Sequence, residues 1–408
     1  MKVLVLNCGS SSIKYQFIDT NEKVALAKGV VERIGMSSAV LSHSRYDGDG
    51  IKIVGEILDH TIAIEYVLGV MMSKNHGVID DKEDIEAIGH RVVHGGETFS
   101  DSILITDDVM QVLQDNIELA PLHNPPNIKG IQAVKRLLPD APQVAVFDTA
   151  FHTQMPPKAF LYGIPYELYK KYKIRRYGFH GTSHLFVSRR AAEILGKNID
   201  ELKIVTAHLG NGCSMAAVDK GKSVDTTMGF TPLEGLLMGT RSGDLDPSLI
   251  LYIMGKEGLS LSEANTLLNK HSGLIGISGE SSDMREILAA ANEGHKRSRY
   301  AFEIFAYRVK KYLGSYAAVM GGLDAFVFTG GIGENSPEVR AEVCKDLEFL
   351  GIEIDEERNK NKEEIISKDS SRVPVLRIPT NEELVIAMDT SKIVENKTVK
   401  KEEAQPVR

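Results

Sequence analysis

Two short segments of the sequence combine a glycine turn with groups that can hold a phosphate. Residues 3–17 run from an apolar stretch into Gly9 and three consecutive serines, and then into an alternating stretch that contains Lys14. Residues 204–219 repeat this arrangement around a Gly-Asn-Gly turn. Each segment predicts a β-hairpin whose turn offers N–H groups to an anion. Ordinary hairpins also favour Gly, Asn and Ser, but two such hairpins and a third glycine-rich stretch at 330–336 together favour a nucleotide.

Charged side chains occur where buried strands are predicted to end. Arg91 lies at such an end beside two glycines, where it could clamp a carboxylate or phosphate through paired hydrogen bonds. A surface ion pair explains Arg91 equally well. Asp148 directly follows the apolar strand 144–147, at the end of an open α/β sheet where ligands bind, so it is a catalytic candidate. Its alternative is a loop-capping aspartate. Arg241 lies in a long glycine-rich loop at 228–246.

Standard motifs of other enzyme classes are incomplete in this sequence. The histidine pairs at 90/94 and 180/184 have the spacing of helical metal ligands, which suggests a metal hydrolase. The first pair, however, lies on a predicted strand, and no His-Glu-x-x-His occurs. The Gly-Lys-Ser at 221–223 ends like a P-loop, but Ala216 stands where the earlier glycine is required. The phosphate-binding features are therefore of a different kind.

The elements that must position these side chains alternate between strands and helices. Residues 22–57 predict a strand meander. The predicted helices span 60–73, 106–118, 283–293 and 297–320. Pro126 or Asn127 is predicted to open one further helix, and Thr182 or Ser183 to cap another. Thr380 and Glu383 predict a capping box, which leaves Glu382 for a metal. The charged residues after Thr390 are expected to fray.

Length and composition limit the class of protein. A chain of 408 residues exceeds the size of one hydrophobic core, so two domains are expected, and the repeated hairpins predict duplicated domains with a cleft between them. The formal charge of -8 argues against a nucleic-acid partner. The three cysteines are far apart in sequence, which favours free thiols and a reducing cytoplasm. We predict no signal peptide and no membrane span.

A series of motifs closely resembles the acetate kinase family and covers residues 1 to about 390 in order. The motifs are Asn-Cys-Gly-Ser-Ser-Ser-Ile-Lys at 7–14, His-Arg-Val-Val-His-Gly-Gly-Glu at 90–97, Leu-Ala-Pro-Leu-His-Asn-Pro-Pro at 119–126, Phe-Asp-Thr-Ala-Phe-His at 147–152, Tyr-Gly-Phe-His-Gly-Thr-Ser-His at 177–184, His-Leu-Gly-Asn-Gly at 208–212, Gly-Ile-Gly-Glu-Asn at 331–335 and Thr-Asn-Glu-Glu-Leu at 380–384. Cys8 departs from the family, in which alanine is commoner at this position.

The resemblance implies an α/β fold of two duplicated ribonuclease-H-like domains, of the actin and hexokinase type, with the nucleotide in the interdomain cleft and two chains paired as a homodimer. We place the domains at 1–149 with 384–408, and at 150–383. The implied reaction is reversible transfer of the ATP γ-phosphoryl group to acetate, giving acetyl phosphate and ADP, with Mg²⁺ or Mn²⁺. Propionate kinase is the near alternative. A sugar-kinase-like or chaperone-like ATP-dependent module is a remote one.

The family's functional residues carry over to matching positions of this sequence. The implied metal ligands are Asn7 and Glu382. The implied catalytic residues are Asp148, His180, Arg241, Arg91 and His123. The implied acetate contacts are Arg91, Val93, Leu122, Phe179 and Pro232. The implied nucleotide contacts are Lys14, Ser10, Ser12, His208, Leu209, Gly210, Asn211, Gly212, Asp283, Met284, Arg285, Gly331, Ile332, Gly333, Glu334 and Asn335. Because acetate is already ionised near pH 7, Asp148 is expected to orient Mg²⁺ or its water and not to act as a base.

Overall fold

The computed structural model describes residues 1–121 and 123–403. The strands are β1 (Lys2–Cys8), β2 (Ser12–Asp19), β3 (Val24–Glu32), β4 (Ala39–Arg45), β5 (Gly50–Gly55), β6 (Ala87–Val92), β7 (Ile103–Leu104), β8 (Gln143–Phe147), β9 (Lys203–Leu209), β10 (Cys213–Asp219), β11 (Lys222–Thr226), β12 (Ala325–Thr329) and β13 (Val375–Arg377). The α-helices are α1 (His60–Met71), α2 (Asp107–Asp115), α3 (Asn124–Leu137), α4 (Pro157–Phe160), α5 (Tyr166–Tyr172), α6 (Gly181–Ile194), α7 (Pro247–Glu257), α8 (Leu261–Lys270), α9 (Gly273–Ser278), α10 (Met284–Asn292), α11 (Lys296–Met320), α12 (Gly330–Asn335), α13 (Pro337–Cys344), α14 (Glu356–Lys360) and α15 (Glu382–Glu403). Short 3₁₀ helices cover Lys82–Asp84, Ile117–Leu119, Ala150–His152, Ile199–Glu201 and Glu348–Leu350.

The chain divides into two compact units. The N-terminal unit comprises Met1–Thr153 and Asn381–Arg408, and the C-terminal unit comprises Gln154–Thr380. Each unit contains one β-sheet. Within the part of the chain that the structure describes, no helix is long and apolar enough to cross a membrane.

The N-terminal unit is built on a sheet with the strand order β5-β4-β3-β2-β1-β6-β8-β7. The first hairpin pairs β1 with β2 in antiparallel register, and β3 to β5 continue as an antiparallel meander. The predicted hairpin at 3–17 and the predicted meander at 22–57 are therefore confirmed. β1 then pairs in parallel with β6, and β6 with β8, so the carboxyl ends of these three strands lie at one edge of the sheet. Asn7, Arg91 and Asp148 lie at or just beyond those ends.

Helices cover both faces of this sheet. One face packs against α1 and α3 through a core that includes Leu6, Ile13 and Phe17. The opposite face packs against α15 through Val3, Val5 and Ile386, among other residues. The helix approaches the sheet closely at Gly89 of β6, where a Cβ atom would lie 2.6 Å from Ile386 Cγ2 and 2.6 Å from Thr390 Oγ1. The absent side chain lets the start of α15 lie beside the end of β6.

The C-terminal unit repeats the central part of this arrangement. Its sheet has the order β11-β10-β9-β12-β13, in which β11, β10 and β9 are antiparallel and β9, β12 and β13 are parallel. The strands β3-β2-β1-β6-β8 of the N-terminal unit have the same sequence of antiparallel and parallel pairings. The predicted hairpin at 204–219 opens this sheet as the first hairpin opens the other. The matching topology supports a duplication.

Several predicted helix starts are wrong. α3 begins at Asn124 and not at Pro126 or Asn127, because prolines in the first helical turn lose no intrahelical hydrogen bond. α6 begins at Gly181 with His180 as its N-cap, in place of Thr182 or Ser183. Ser183 instead directs its hydroxyl to His208 and Thr380. The hydroxyl of Thr380 is therefore engaged away from α15. Asn381 Oδ1 accepts a hydrogen bond from Leu384 N–H, so Asn381 caps the helix in place of Thr380.

Two segments are more helical than predicted. Residues 330–335, which the sequence predicts as a glycine loop, form the short helix α12 directly after β12. Glu334 stabilises its start, because Glu334 Oε1 accepts a hydrogen bond of 2.9 Å from Gly330 N–H. The chain beyond Thr390 continues as α15 to Glu403 instead of fraying at Thr390. Thr390 and Ser391 are buried and anchor this part of the helix.

Candidate active site

The phosphate-type hairpin of the N-terminal unit is held from two sides. Asn7 on β1 lies directly opposite Lys14 on β2, and the turn closes through a 2.8 Å hydrogen bond from Gly9 N–H to the carbonyl of Ser12. His60 Nε2 donates to the carbonyl of Gly9 at 2.7 Å. Asn127 Nδ2 donates to the carbonyl of Cys8 at 2.8 Å. The braced turn and the adjoining strand ends thus carry four predicted site residues, which are Asn7, Ser10, Ser12 and Lys14.

A cluster formed by Arg91, Asp148 and Glu382, the Arg91 cluster, brings together three predicted site residues. Arg91 Nη2 lies 3.1 Å from Asp148 Oδ2, and Arg91 Nε lies 3.9 Å from Glu382 Oε2. The Asp148 side chain is 2% exposed, so this ion pair is shielded from water on the aspartate side. The negative charge of Asp148 raises the pKa of Arg91 above its usual value. The guanidinium is fixed in place and fully charged.

The carboxylates of the Arg91 cluster suit a hard divalent cation. Burial, with the nearby charge of Asp148, raises the pKa of Glu382 to about 7, although Arg91 opposes the shift. A divalent cation would offset the desolvation and repulsion that cause this shift. Among residues 1–121 and 123–403, no group of three or more His, Cys, Asp or Glu side chains could hold a metal by itself. Mg²⁺ needs no such cage, since one or two carboxylates with water and substrate phosphates satisfy it. Asn7 lies on β1, which pairs with β6, and its amide oxygen is of the same donor type, so these residue types fit Mg²⁺.

Three more predicted residues follow β6 or precede α3. Val93 is buried, and its N–H donates to Asn127 Oδ1 at 3.2 Å. His123 is exposed and forms the N-cap of α3. Leu122, predicted as an acetate contact, lies outside the described residues.

His90 and His94, the first of the two histidine pairs that suggested a metal hydrolase, form hydrogen bonds within the protein. His90 Nε2 lies 2.8 Å from the side-chain amide of Gln143, and burial lowers the pKa of His90 to about 4. His94 Nδ1 accepts a hydrogen bond of 2.9 Å from Gly96 N–H. These contacts explain both histidines structurally.

In the C-terminal unit, His180 and Arg241 meet at the turn of the second hairpin. A Cβ atom at Gly212 would lie 3.5 Å from Arg241 Nη1 and 3.7 Å from His180 Nε2, so both groups border one small space. His180 has the left-handed backbone conformation, with φ of 58°, and its ring stacks on that of His208 with centroids 4.2 Å apart. Arg241 Nη1 donates to the carbonyl of Pro232 at 3.3 Å. Burial lowers the pKa of Arg241 from its usual value.

A cavity of about 900 Å³ in the C-terminal unit gathers residues from three predicted nucleotide segments. The predicted nucleotide residues that line it are Gly210, Asn211, Asp283, Met284, Arg285, Gly331, Ile332 and Asn335. Its volume suits a drug-sized or nucleotide-sized ligand. Leu288, Ala289 and Lys362 also line the cavity, and Lys362 Nζ donates to Asn335 Oδ1 at 3.3 Å.

Other predicted nucleotide and acetate residues lie elsewhere in this unit. Leu209 and Gly333 are buried in the sheet and helix packing. Glu334 accepts hydrogen bonds from the N–H groups of Gly330 and Thr380, which explains it structurally. Phe179, predicted to contact acetate, is buried directly before His180.

Sequence reasoning missed the residues that hold the predicted ones. Asn127 joins the end of β1 to the end of β6 through its two hydrogen bonds, to Cys8 and Val93. Ser214 lies within hydrogen-bonding distance of both His180 and His184. Ser214 sits one position past the Gly-Asn-Gly-Cys turn, which was the available signal. The sequence gave no signal for the role of Asn127 beyond the prediction that a helix begins near it.

The three cysteines lie next to these sites or in the C-terminal core. Cys8, Cys213 and Cys344 are all free and buried, in agreement with the prediction of free thiols. Burial raises the pKa of Cys8 and of Cys213 to about 12.

Comparison with known proteins places the chain in one family. The sequence model of the Acetokinase family matches residues 2–388. An acetate kinase of Thermoanaerobacterium thermosaccharolyticum is 59% identical over 399 residues, which cover 97% of this chain and 100% of that protein. The crystal structure of Porphyromonas gingivalis acetate kinase matches with a TM-score of 0.94 at 48% identity, covering 96% of this chain and 99% of that one. A propionate kinase from Francisella tularensis matches with a TM-score of 0.90 at 45% identity and the same coverage.

These matches confirm the predicted α/β fold with two domains. Since the family match extends over nearly the whole chain and agrees with both the motifs and the fold, this chain belongs to the Acetokinase family.

Proposed function

We propose that this protein transfers the γ-phosphoryl group of ATP to acetate, forming acetyl phosphate and ADP, and that it catalyses the reverse reaction. The observation that carries the proposal is the 59% identity to an acetate kinase over 97% of the chain. Two features support the proposal. The Arg91 cluster offers a charged group for a carboxylate, and the cavity of the C-terminal unit has the size that a nucleotide needs.

In the N-terminal unit, we assign Arg91 to the carboxylate of acetate and Lys14 to the nucleotide phosphates. Arg91 is charged and held by Asp148, which leaves part of its donor fork for a bidentate carboxylate. Asn7, Asp148 and Glu382 would hold Mg²⁺ directly or through its water. When bound, Mg²⁺ neutralises charge on the phosphate oxygens. We assign His123 to the neighbourhood of the transferring group.

In the C-terminal unit, we assign His180 and Arg241 to the oxygens of the transferring phosphoryl group. That group carries negative charge spread over three oxygens, and two converging cationic or N–H donors stabilise it in the transition state. We propose that ATP or ADP binds in the cavity next to Gly210 and Asn211. The apolar side of α10 gives its base a surface on which to pack.

The chemistry requires no general base. Acetate, with a pKa of roughly 4 to 5, is ionised near pH 7. A carboxylate oxygen forms the new bond to the γ-phosphorus, while the bond from that phosphorus to the β,γ-bridging oxygen breaks and its electron pair leaves with ADP. Asp148 therefore has no proton to remove, which agrees with its ion pair to Arg91.

We also propose a homodimer, a cytoplasmic location and domain boundaries near 149/150 and 383/384, whereas the compact units divide at 153/154 and 380/381. The homodimer is supported by α7, an apolar helix without a single buried residue, on which Leu251 and Tyr252 are 69% and 62% exposed. Leu261, at the start of α8, is 81% exposed. Such an exposed apolar surface is typical of an interface. Three free thiols suit a reducing compartment.

The identity of the acyl acceptor depends on the small apolar pocket that binds its alkyl group, and we assign Val93 of the N-terminal unit to this pocket. One methylene in such a pocket changes binding by about 1 to 3 kcal/mol, so propionate is the nearest competitor. Acetate is favoured, because the relative at 59% identity is an acetate kinase and the propionate kinase is 45% identical.

The test is a steady-state assay of the purified protein with Mg-ATP and acetate, propionate or butyrate, in which acyl phosphate is trapped as the hydroxamate. We expect the highest kcat/KM with acetate. A higher value with propionate would retain the mechanism and change the substrate. No phosphorylation of any of the three acids would overturn the proposal.

A further inference from the structure

A chain of hydrogen bonds in the C-terminal unit leads from the sheet to His180. His180 Nδ1 lies 2.9 Å from Ser214 Oγ, and His184 Nε2 lies 2.7 Å from the same oxygen. His184 Nδ1 in turn lies 2.7 Å from Thr206 Oγ1. Thr206, His184 and Ser214 are all 0% exposed, whereas His180 is partly exposed. We call Thr206, His184 and Ser214 the hydroxyl–imidazole relay.

The fold brings these residues together from three elements. Thr206 on β9 and Ser214 on β10 lie on the same face of the sheet, because Ser214 pairs with His208, two residues beyond Thr206. Helix α6 packs on β9 and β10. His180 and His184, four residues apart at the start of that helix, therefore both point to the sheet. The ring plane of His180 is fixed separately by its stack on His208.

Counting protons limits the relay to two arrangements when both rings are neutral and the Ser214 hydroxyl donates to one of them. In the first, Thr206 donates to His184 Nδ1, His184 Nε2–H donates to Ser214, and Ser214 donates to His180 Nδ1. His180 then carries its proton on Nε2. In the second, every hydrogen bond is reversed, and His180 Nε2 carries a lone pair. A neutral imidazole has one N–H, and the bond at one nitrogen decides the state of the other.

The surroundings of Nε2 favour the first arrangement. His180 Nε2 and Arg241 Nη1 border the same space at Gly212, at 3.7 and 3.5 Å from the position of a Cβ atom. An anion attracted to Arg241 is stabilised by a neighbouring N–H and repelled by a neighbouring lone pair.

We infer that the hydroxyl–imidazole relay holds His180 in the tautomer that carries its proton on Nε2, so that His180 donates a hydrogen bond to the anion beside Arg241. Ser214 is then a positioning residue that acts through His180. The inference rests on the proposed function, which makes this anion the transferring phosphoryl group.

The direct test needs no variant of the relay. The full-length protein is labelled with ¹⁵N-histidine, and long-range ¹H–¹⁵N correlation spectra are recorded without substrates. The His180 signals are assigned by their loss in His180→Gln. We expect a protonated Nε2 and an unprotonated Nδ1. A proton on Nδ1, in the neutral or the doubly protonated ring, would overturn the inference.

Variants then connect the tautomer to catalysis. Ser214→Ala should lower kcat about 10- to 100-fold, with the KM for ATP and acetate changed by no more than about two-fold, because the donor to His180 Nδ1 is lost. Its spectrum should show both tautomers. Thr206→Val should shift both readouts in the same direction, and Thr206→Ser should restore them. The control is Ser188→Ala, which removes a buried hydroxyl on α6 that donates to the carbonyl of Leu185.

The outcomes separate the inference from the proposed function. Wild-type kcat and an unchanged His180 spectrum in folded Ser214→Ala would overturn the relay, while acetate phosphorylation by the wild-type protein would uphold the function. A wild-type protein with the expected tautomer but no acyl kinase activity would overturn the function alone. If Ser214→Ala does not fold, the wild-type spectrum decides.

Discussion

At the scale of single residues, the Arg91 cluster shows how one side chain can serve both structure and chemistry. Arg91 is the neighbour of two carboxylates, one nearly inaccessible and one with a pKa of about 7. A buried carboxylate without a charge partner destabilises the folded state. Arg91 therefore stabilises Asp148, and we propose that the same guanidinium binds acetate. The charges of Arg91, Asp148 and Glu382 also predict how a change in one carboxylate affects metal binding.

Replacing Asp148 with asparagine should weaken the metal site. Asp148→Asn keeps the shape but removes one negative charge, so we expect the Mg²⁺ concentration for half-maximal activity to rise about 10-fold or more and kcat to fall about 100-fold. Titration of activity with Mg²⁺ measures both. Asp107→Asn, at an exposed carboxylate paired with Lys135, is the control. Lost turnover with an unchanged Mg²⁺ dependence would contradict the metal-orienting role.

His90 should make the protein sensitive to acid. Its pKa is about 4 in the folded state and near 6.5 in the unfolded chain. The unfolded chain therefore binds the extra proton between these values, so stability is retained above pH 6.5 and is lost as the pH falls toward 4. The loss is on the order of 3 kcal/mol. Urea unfolding at several pH values should show that His90→Gln loses less stability than the wild type over this range. A parallel loss in both proteins would contradict the prediction, and His271→Gln, at an exposed histidine, is the control.

Some residue roles could be predicted from sequence and others could not. Asp148 could be located, because an apolar strand followed by an acid predicts the ligand-binding edge of a sheet. The position of Ser214 just past the glycine turn could be recognised, but its contacts with two histidines could not be predicted, because Ser214 and Thr206 look like ordinary strand residues in the sequence. Their partner His184 is 30 residues from Ser214 in the chain, and proximity across that distance comes from packing.

At the scale of elements, the close approach of α15 to β6 positions Glu382 beside Arg91. Gly89 permits that approach, since a Cβ atom there would contact Ile386 and Thr390 at 2.6 Å. Strand and hairpin positions were predictable because alternation and turn residues are local signals. The starts of α6 and α15 were not predictable, because the hydroxyls of Ser183 and Thr380 form hydrogen bonds with residues that are distant in the sequence.

Gly89→Ala should therefore act on both stability and metal binding. Overpacking at this contact should lower the free energy of unfolding by about 1 to 3 kcal/mol. It should also raise the Mg²⁺ requirement, because the start of α15 must shift. Chemical unfolding and Mg²⁺ titration test these effects. Gly69→Ala on α1, where a Cβ atom meets nothing within 4 Å, is the matched control and should be neutral or stabilising. An unchanged Mg²⁺ requirement in Gly89→Ala would separate α15 packing from the metal site.

At the scale of the whole molecule, the two sheets share the pairing pattern of five strands but have different side chains at their hairpins. The first hairpin carries Lys14 and the second carries the Gly-Asn-Gly turn. Duplication was predictable because both copies retain the glycine turn. The exposed apolar surface of α7 was not predicted, because the sequence of an apolar helix does not show whether the helix is buried or exposed.

The α7 surface predicts the oligomeric state. The wild-type protein should have twice its chain mass of 44.8 kDa by size-exclusion chromatography with light scattering. Leu251→Glu places a charge on the exposed surface of α7 and should shift the protein toward the monomer. Val54→Glu, at a side chain 67% exposed in the N-terminal unit, is the control. A monomeric wild type, or an intact dimer in Leu251→Glu, would contradict the proposed interface.

The burial of the cysteines gives each unit its own chemical reporter. An alkylating reagent reacts with the thiolate. Burial raises the pKa of Cys8 and of Cys213 to about 12, so the thiolate is scarce at neutral pH in the folded protein. Labelling at neutral pH must therefore wait until the surrounding structure opens. Cys8 belongs to the N-terminal unit, and Cys213 and Cys344 belong to the C-terminal unit. A time course of alkylation, read by mass spectrometry of peptides, would time the opening of each unit without any introduced probe.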